Sequence, residues 1–97
     1  MPTYINLNSW TDQGIRNIKE APQRIDAFKK AVEAVGGKVV GFYVTMGKYD
    51  IITIVEAPSD EAIANIALGT GSKGSIRTET MKAFTEDQFR NMLTKLQ

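Results

Sequence analysis

The 97 residues hold twelve Lys and Arg against eleven Asp and Glu, a formal net charge of +1, and the scatter of those charges selects neither nucleic acid nor an anionic membrane as a partner. There is no cysteine and no histidine. That excludes disulfides, thiolate zinc sites, iron–sulfur ligation, cysteine nucleophiles and any Ser-His-Asp arrangement within one chain, and it leaves no metal or cofactor to expect.

A chain of this length has room for one domain, residues 1–97, with a modest core that buries only about two thirds of the unfolded surface, so self-association adds materially to stability. The opening Met1-Pro2-Thr3-Tyr4 lacks the basic-then-apolar pattern of a signal peptide, and no apolar run approaches the roughly 20 residues of a spanning helix. A cytoplasmic protein is the expectation.

Thr3 to Trp10 alternates, with Ile5 and Leu7 on one side and Tyr4, Asn6, Asn8 and Trp10 on the other, as a strand does. Thr11 is placed to cap a helix, while Gly14 weakens the first turn. Ile15, Ile18, Ile25, Phe28, Val32 and Val35 recur at helical spacing, and Pro22 interrupts them. The pattern predicts a short opening turn, a break near Glu20-Ala21, and a main helix from Pro22 to Val35 that ends at Gly36-Gly37.

Lys38 to Met46 and Tyr49 to Ala57 read as two strands joined by a Gly47-Lys48 turn, because glycine supplies the positive φ of a type II′ hairpin. Counting outward sets Met46 opposite Tyr49, Val44 opposite Ile51, Phe42 opposite Thr53 and Val40 opposite Val55, all on one apolar face. The second face carries Val39, Gly41, Tyr43, Thr45, Asp50, Ile52, Ile54 and Glu56.

Ser59 caps a second helix, with Asp60 and Glu61 complementing its dipole and Ile63, Ile66 and Ala67 buried. That helix stops in Gly69-Thr70-Gly71-Ser72-Lys73-Gly74. A strand runs from Ser75 to Ala83, and Thr85 and Gln88 have the spacing of a capping box for a last helix striped by Phe89, Met92, Leu93 and Leu96.

The order β-α-β-β-α-β plus a terminal helix is an α+β, ferredoxin-like pattern in which both long helices cover one face of an antiparallel sheet. The second face, joined by Tyr4 and Trp10, is then left bare, and a patch of that kind marks a binding surface. The inference is a homodimer, or a higher oligomer, packed sheet to sheet.

Candidate sites divide between structural and functional readings. The segment Gly69 to Gly74 matches G-x-G-x-x-G but leads out of a helix into a strand, where phosphate meets the negative dipole end, so a helix stop is preferred over nucleotide binding. Tyr49 packs across the turn while Asp50 accepts turn or cross-strand hydrogen bonds; the alternative puts Asp50 at a pocket mouth, binding an amine or hydroxyl, with Tyr49 as its wall. Tyr4, Asn6, Asn8 and Trp10 are too aromatic for a solvated face and too polar for a plain core. An interface comes first for them, a pocket lined by amides and aromatics second. Arg77 is an anion contact or a salt-bridge partner of Glu79 or Glu56.

The opening Pro2-Thr3-Tyr4-Ile5, the segment Trp10 to Arg16, Gly41-Phe42-Tyr43, Met46-Gly47-Lys48-Tyr49-Asp50, Glu56-Ala57-Pro58, Arg77-Thr78 and Ala83-Phe84-Thr85 resemble the GYD domain family of small bacterial and archaeal proteins. Its Gly-x-Tyr-Asp stands here as Gly47, Tyr49 and Asp50. The resemblance implies a dimeric α/β barrel of two ferredoxin-like sheets. More distantly, Thr45 to Phe84 is similar to the effector-binding domain of leucine-responsive transcription regulators, which bind small effectors at subunit interfaces. This chain has no helix-turn-helix segment, so ligand sensing and not regulation is the property that similarity suggests.

Two functions compete. One is a non-enzymatic dimeric module that binds a small molecule or a protein partner, with Tyr4, Asn8, Trp10, Tyr43, Tyr49, Asp50 and Arg77 as ligand-binding candidates. The other is a cofactor-free enzyme, monooxygenase- or isomerase-like, with Asp50 or Glu56 as base and Tyr43, Tyr49, Asn8 or Trp10 as positioning groups.

Overall fold

The computed structural model describes residues 1–96; Gln97, the last residue of the expected domain, lies outside the described residues. Four strands, β1 (Thr3–Trp10), β2 (Lys38–Val44), β3 (Ile51–Glu56) and β4 (Ile76–Ala83), form one sheet in the order β2-β3-β1-β4 with every neighbour antiparallel. Four helices accompany them: α1 (Asp12–Arg16), α2 (Ala21–Ala34), α3 (Asp60–Ser72) and α4 (Glu86–Thr94). The architecture is the α+β, ferredoxin-like one that the element order implies.

The connection from β1 to α2 follows its local chemistry. The Thr11 hydroxyl accepts the Gly14 N–H at 3.1 Å, one 3₁₀ turn spans Ile18–Glu20, and α2 begins with Pro22 in its first turn, where the missing N–H costs nothing. Gly14 does more than weaken a turn. It is buried, and a Cβ there would stand 1.9 Å from the Ser75 carbonyl oxygen, so the backbones before β4 and after β1 touch through it.

At its far end α2 closes through Gly36 and Gly37 N–H groups on the Glu33 and Val32 carbonyls, both at 2.9 Å. Helix α3 runs further than expected. It passes through Gly69 and Gly71 to Ser72 and is capped at Lys73, and Gly74 just beyond, with a φ of +81°, turns the chain out of the helix. Glycine inside a helix costs only about 1 kcal/mol relative to alanine, which the packing of α3 against β4 offsets.

One sheet face is covered by α2 and α3, and the core between them is Tyr4, Val32, Val55, Ala57, Ile63 and Ile66, with Phe28 and Val39 packed against it. The hairpin register holds for Val44 opposite Ile51 and Phe42 opposite Thr53, then shifts. A bulge between Val39 and Gly41 puts Val39, not Val40, opposite Val55, and leaves Val40 54% exposed. One extra residue in a strand exchanges faces for everything beyond it, which outward counting does not foresee. The turn also differs: regular pairing stops at Val44 and resumes at Ile51, the loop is closed by Thr45 N–H on the Asp50 carbonyl at 2.7 Å, and Met46 stands free at 99% exposure.

The second correction concerns β1. Tyr4 pairs with Val55 and is 2% exposed, so Tyr4, Asn6, Asn8 and Trp10 share the helix-covered face and do not join the open one. The open face belongs to Ile5, Leu7, Ile52, Ile54, Tyr43 and Met81, as strand alternation from this register requires. Helix α4 opens with the expected capping box, Thr85 N–H to Gln88 at 2.8 Å and Gln88 N–H to Thr85 at 3.1 Å. Its apolar stripe has no cover among the described residues: Phe89, Met92, Leu93 and Leu96 are all exposed.

Candidate functional site

Strand β1 carries different chemistry on its two faces. Toward the helices, Asn6 donates to the Thr53 hydroxyl at 2.8 Å and accepts from the Thr80 hydroxyl at 2.9 Å, so one buried amide joins β3, β1 and β4. Asn8, 8% exposed, reaches only the Asn6 carbonyl at 3.5 Å through its NH₂ group. Its amide oxygen accepts nothing from the described residues. Trp10 is held by its backbone, whose N–H donates to the Asp50 carboxylate at 2.9 Å.

Above these residues lies a cleft of about 540 Å³ between α2, α3 and the sheet. Asn6, Asn8, Trp10, Thr53 and Thr78 line its floor, with Phe42, Ile51 and Ile76 around them. Its helical walls are made small by Ala27, Ala31 and Ala34 from α2 and Ala67 from α3. Those three alanines of α2 recur at intervals of four and three, so the helix turns the same low side toward the gap at each turn. Gly69, Thr70 and Lys73 of the predicted glycine loop also line it, from within α3 and its C-terminal end.

The remaining candidates fall elsewhere. Asp50 does not line the cleft: its N–H donates to the Asn8 carbonyl at 2.9 Å and its carboxylate receives Trp10, which is the cross-strand role of the structural reading. Thr45 donates its hydroxyl to the Tyr49 carbonyl at 2.6 Å, and the Tyr49 hydroxyl donates to Glu79 of β4 at 3.1 Å, with Lys48 Nζ 5.5 Å from the ring. Tyr43 is 59% exposed on the open face. Arg77 is exposed there as well, without a salt bridge to Glu79 or Glu56 among the described residues. Asn8 and Trp10 are thus brought together at the cleft, Tyr43 and Arg77 lie on the opposite face, and Tyr4 belongs to neither place.

Tyr4 instead donates to Asp60, which Lys82 also contacts at 3.2 Å. Burial pushes the Tyr4 phenol up to about 12, reinforced by the hydrogen bond to the Asp60 carboxylate and by its charge. The same hydrogen bond, with help from Lys82, holds Asp60 below the usual carboxylate range. In the sequence Asp60 reads only as a complement to the α3 dipole, since no local spacing links residues 4, 60 and 82. The alanine spacing of α2 was the signal for the cleft, and it is visible in the sequence only once the sheet lies beneath it. Among the described residues no cluster of three or more Asp and Glu is arranged to hold a metal ion, and no helix is long and apolar enough to cross a membrane.

A family model described as the GYD domain matches residues 4–93, nearly the whole chain. The chain belongs to the GYD domain family. Over 84 residues this GYD domain is 36% identical to a protein of Thermus thermophilus named glutamine synthetase and cystathionine beta-lyase binding protein, covering 86% of this chain and 88% of the relative. Its fold is similar to that of the feast or famine regulatory protein of M. tuberculosis complexed with L-methionine, with a TM-score of 0.65 at 14% identity over 88% of this chain and 51% of that one. The Mycobacterium tuberculosis leucine response regulatory protein gives 0.63 at 14% identity, over 87% and 51%. The GYD domain spans about half the length of these regulators, and at such identities the likeness is one of fold.

Proposed function

We propose that this GYD domain is a non-enzymatic binding module, a single domain of the cytoplasm, that works as a homodimer or higher oligomer and takes a protein partner or a small molecule. The observation that carries the dimer is the open sheet face. Ile5, Leu7, Ile52 and Ile54 make an apolar centre, Tyr43 and Met81 flank it, and among the described residues no helix covers it. Arg77 and Glu79 stand on the same face of β4, so two copies related by a twofold axis have opposite charges to offer each other. A protein partner is supported by the Thermus relative, whose name states that it binds two enzymes.

The enzyme reading asks for Asp50 or Glu56 beside an enclosed space. Neither lines the cleft, and the Asp50 carboxylate is engaged by the Trp10 N–H, so the observations favour binding. Sedimentation equilibrium at micromolar concentration tests the proposal. Twice the 10.7 kDa chain mass is expected, and Ile54→Lys, which puts a charge in the centre of the face, should give the monomer. A wild-type monomer at that concentration would remove the basis for the homodimer.

A further inference from the structure

The cleft under α2 and α3 lies on the opposite side of the sheet from the proposed dimer face, and two independent features mark it. Its walls are lowered by Ala27, Ala31 and Ala67, where larger side chains at helical spacing would close the gap. In its floor Asn8, more than nine-tenths buried, presents an amide oxygen that accepts no hydrogen bond from the described residues. Among the described residues no buried side-chain nitrogen or oxygen is left without a partner, so this oxygen is reached from the cleft, and a donor entering there takes the place of water at it.

We propose that this cleft is a binding site for an uncharged, mainly apolar small molecule with one hydrogen-bond donor, a hydroxyl or N–H, that meets Asn8 Oδ1. The volume of about 540 Å³ suits a molecule on the order of 20 non-hydrogen atoms. Charge is disfavoured by the lining. The Arg24 guanidinium is engaged by the Asn17 carbonyl at 3.0 Å and the Gly14 carbonyl at 3.3 Å, and the other cation, Lys73, is solvent-exposed at the end of α3, away from the floor. A charged group carried down to Asn8 would be buried without a counterion. The site needs no second copy of the chain, so it stands whether or not the open face dimerises.

The test uses the intact protein and N-phenyl-1-naphthylamine, a neutral apolar fluorophore with one N–H. The expected result is saturable binding of one probe per chain with a blue shift. Ala31→Phe should lower the affinity at least tenfold, because it fills the cleft from a position exposed enough to accept the ring. Ala67→Leu is the second filling variant, should the first not fold by circular dichroism. Asn8→Leu should weaken the N–H probe on the order of fivefold and leave its N-methyl analogue unweakened. Absence of saturable binding, equal loss of both probes in Asn8→Leu, or unchanged binding in a folded filling variant overturns the site. Ile54→Lys separates the two proposals: retained binding is expected, and loss of it would assign the probe to the open face and overturn the cleft. A monomeric wild type that still binds one probe would remove the dimer and leave the cleft standing.

Discussion

Replacing Gly14 by alanine tests whether the molecule is held together where the backbones after β1 and before β4 meet. From helix propensity alone the change should stabilise α1 by about 1 kcal/mol, since alanine is the better helix former. The packing predicts the opposite sign. The new Cβ would lie 1.9 Å from the Ser75 carbonyl oxygen and 2.9 Å from its carbon, both backbone atoms, so no side chain can turn aside.

Reaching even 3.0 Å requires about 1.1 Å of main-chain separation. That separation stretches two hydrogen bonds across the same junction: Thr11 N–H to the Ser75 carbonyl at 3.2 Å and the Thr11 hydroxyl to the Gly74 carbonyl at 2.5 Å. Each contributes about 1 kcal/mol, and overpacking adds roughly 1–3 kcal/mol. After subtracting the propensity gain, the net loss is about 2–4 kcal/mol, enough to lower Tm by on the order of 10–20 °C in a domain of this size. Thermal unfolding at one fixed protein concentration is the assay, because any self-association makes Tm depend on concentration. A Tm equal to or above that of the wild type would refute the close approach.

Asn6→Ala leaves the Thr53 and Thr80 hydroxyls without their shared amide and should cost about 1–3 kcal/mol, read as a lower urea midpoint at unchanged slope. Asp60 is held below the usual carboxylate range, so its contribution to stability is present above its ordinary pKa and is lost as pH falls through the folded value; Asp60→Asn should flatten the acid limb of Tm against pH below about 4. Tyr4 is raised to about 12, so its contribution is present up to its ordinary pKa near 10 and is lost between there and about 12; Tyr4→Phe should remove that part of the alkaline limb, and an unchanged alkaline slope would count against it. Asp50→Ala should cost about 1.5–3 kcal/mol in urea unfolding by orphaning the Trp10 N–H, whereas Asp50→Asn keeps an acceptor oxygen and should cost less than half as much; equal losses would deny the acceptor role.

What was legible in the sequence was local. Alternation in Thr3 to Trp10, the caps at Thr11, Ser59 and Thr85, and the break before Pro22 all arise from contacts within a few residues, and the structure bears them out. The errors came where the deciding contact is distant. Which side of β1 faces the helices depends on the register with β3, and alternation alone leaves Ile5 and Leu7 looking as fit for the core as Tyr4. The bulge at Val40 had a local signal in Gly41, a glycine inside a strand, but which residue is left unpaired is decided only by the register with β3. Gly69 and Gly71 looked like a stop because glycine disfavours helix, but only Gly74 adopts the positive φ. Of the candidate site residues, Asn8 and Trp10 fit the pocket alternative for β1, while Tyr4 needed Asp60 and Lys82 to explain it.

The Gly-x-Tyr-Asp signature acquires a physical meaning from this geometry. At Asp50 the β3 backbone makes its last ladder bond to β1, its N–H to the Asn8 carbonyl, and Trp10 N–H would then lack a main-chain acceptor. The Asp50 carboxylate takes the place of that missing carbonyl and extends the ladder by one side chain. Meanwhile Thr45 closes the loop on Tyr49 and Asp50, and Tyr49 crosses to Glu79 on β4. Three strands, β2, β1 and β4, are therefore fastened by one loop. The two residues that Asp50 fixes, Asn8 through its carbonyl and Trp10 through its N–H, are the ones that line the cleft on the far side. The signature is thus a clasp that sets the cleft floor from the other face of the sheet. It follows that loosening the clasp should alter the site without any signature side chain touching what binds there.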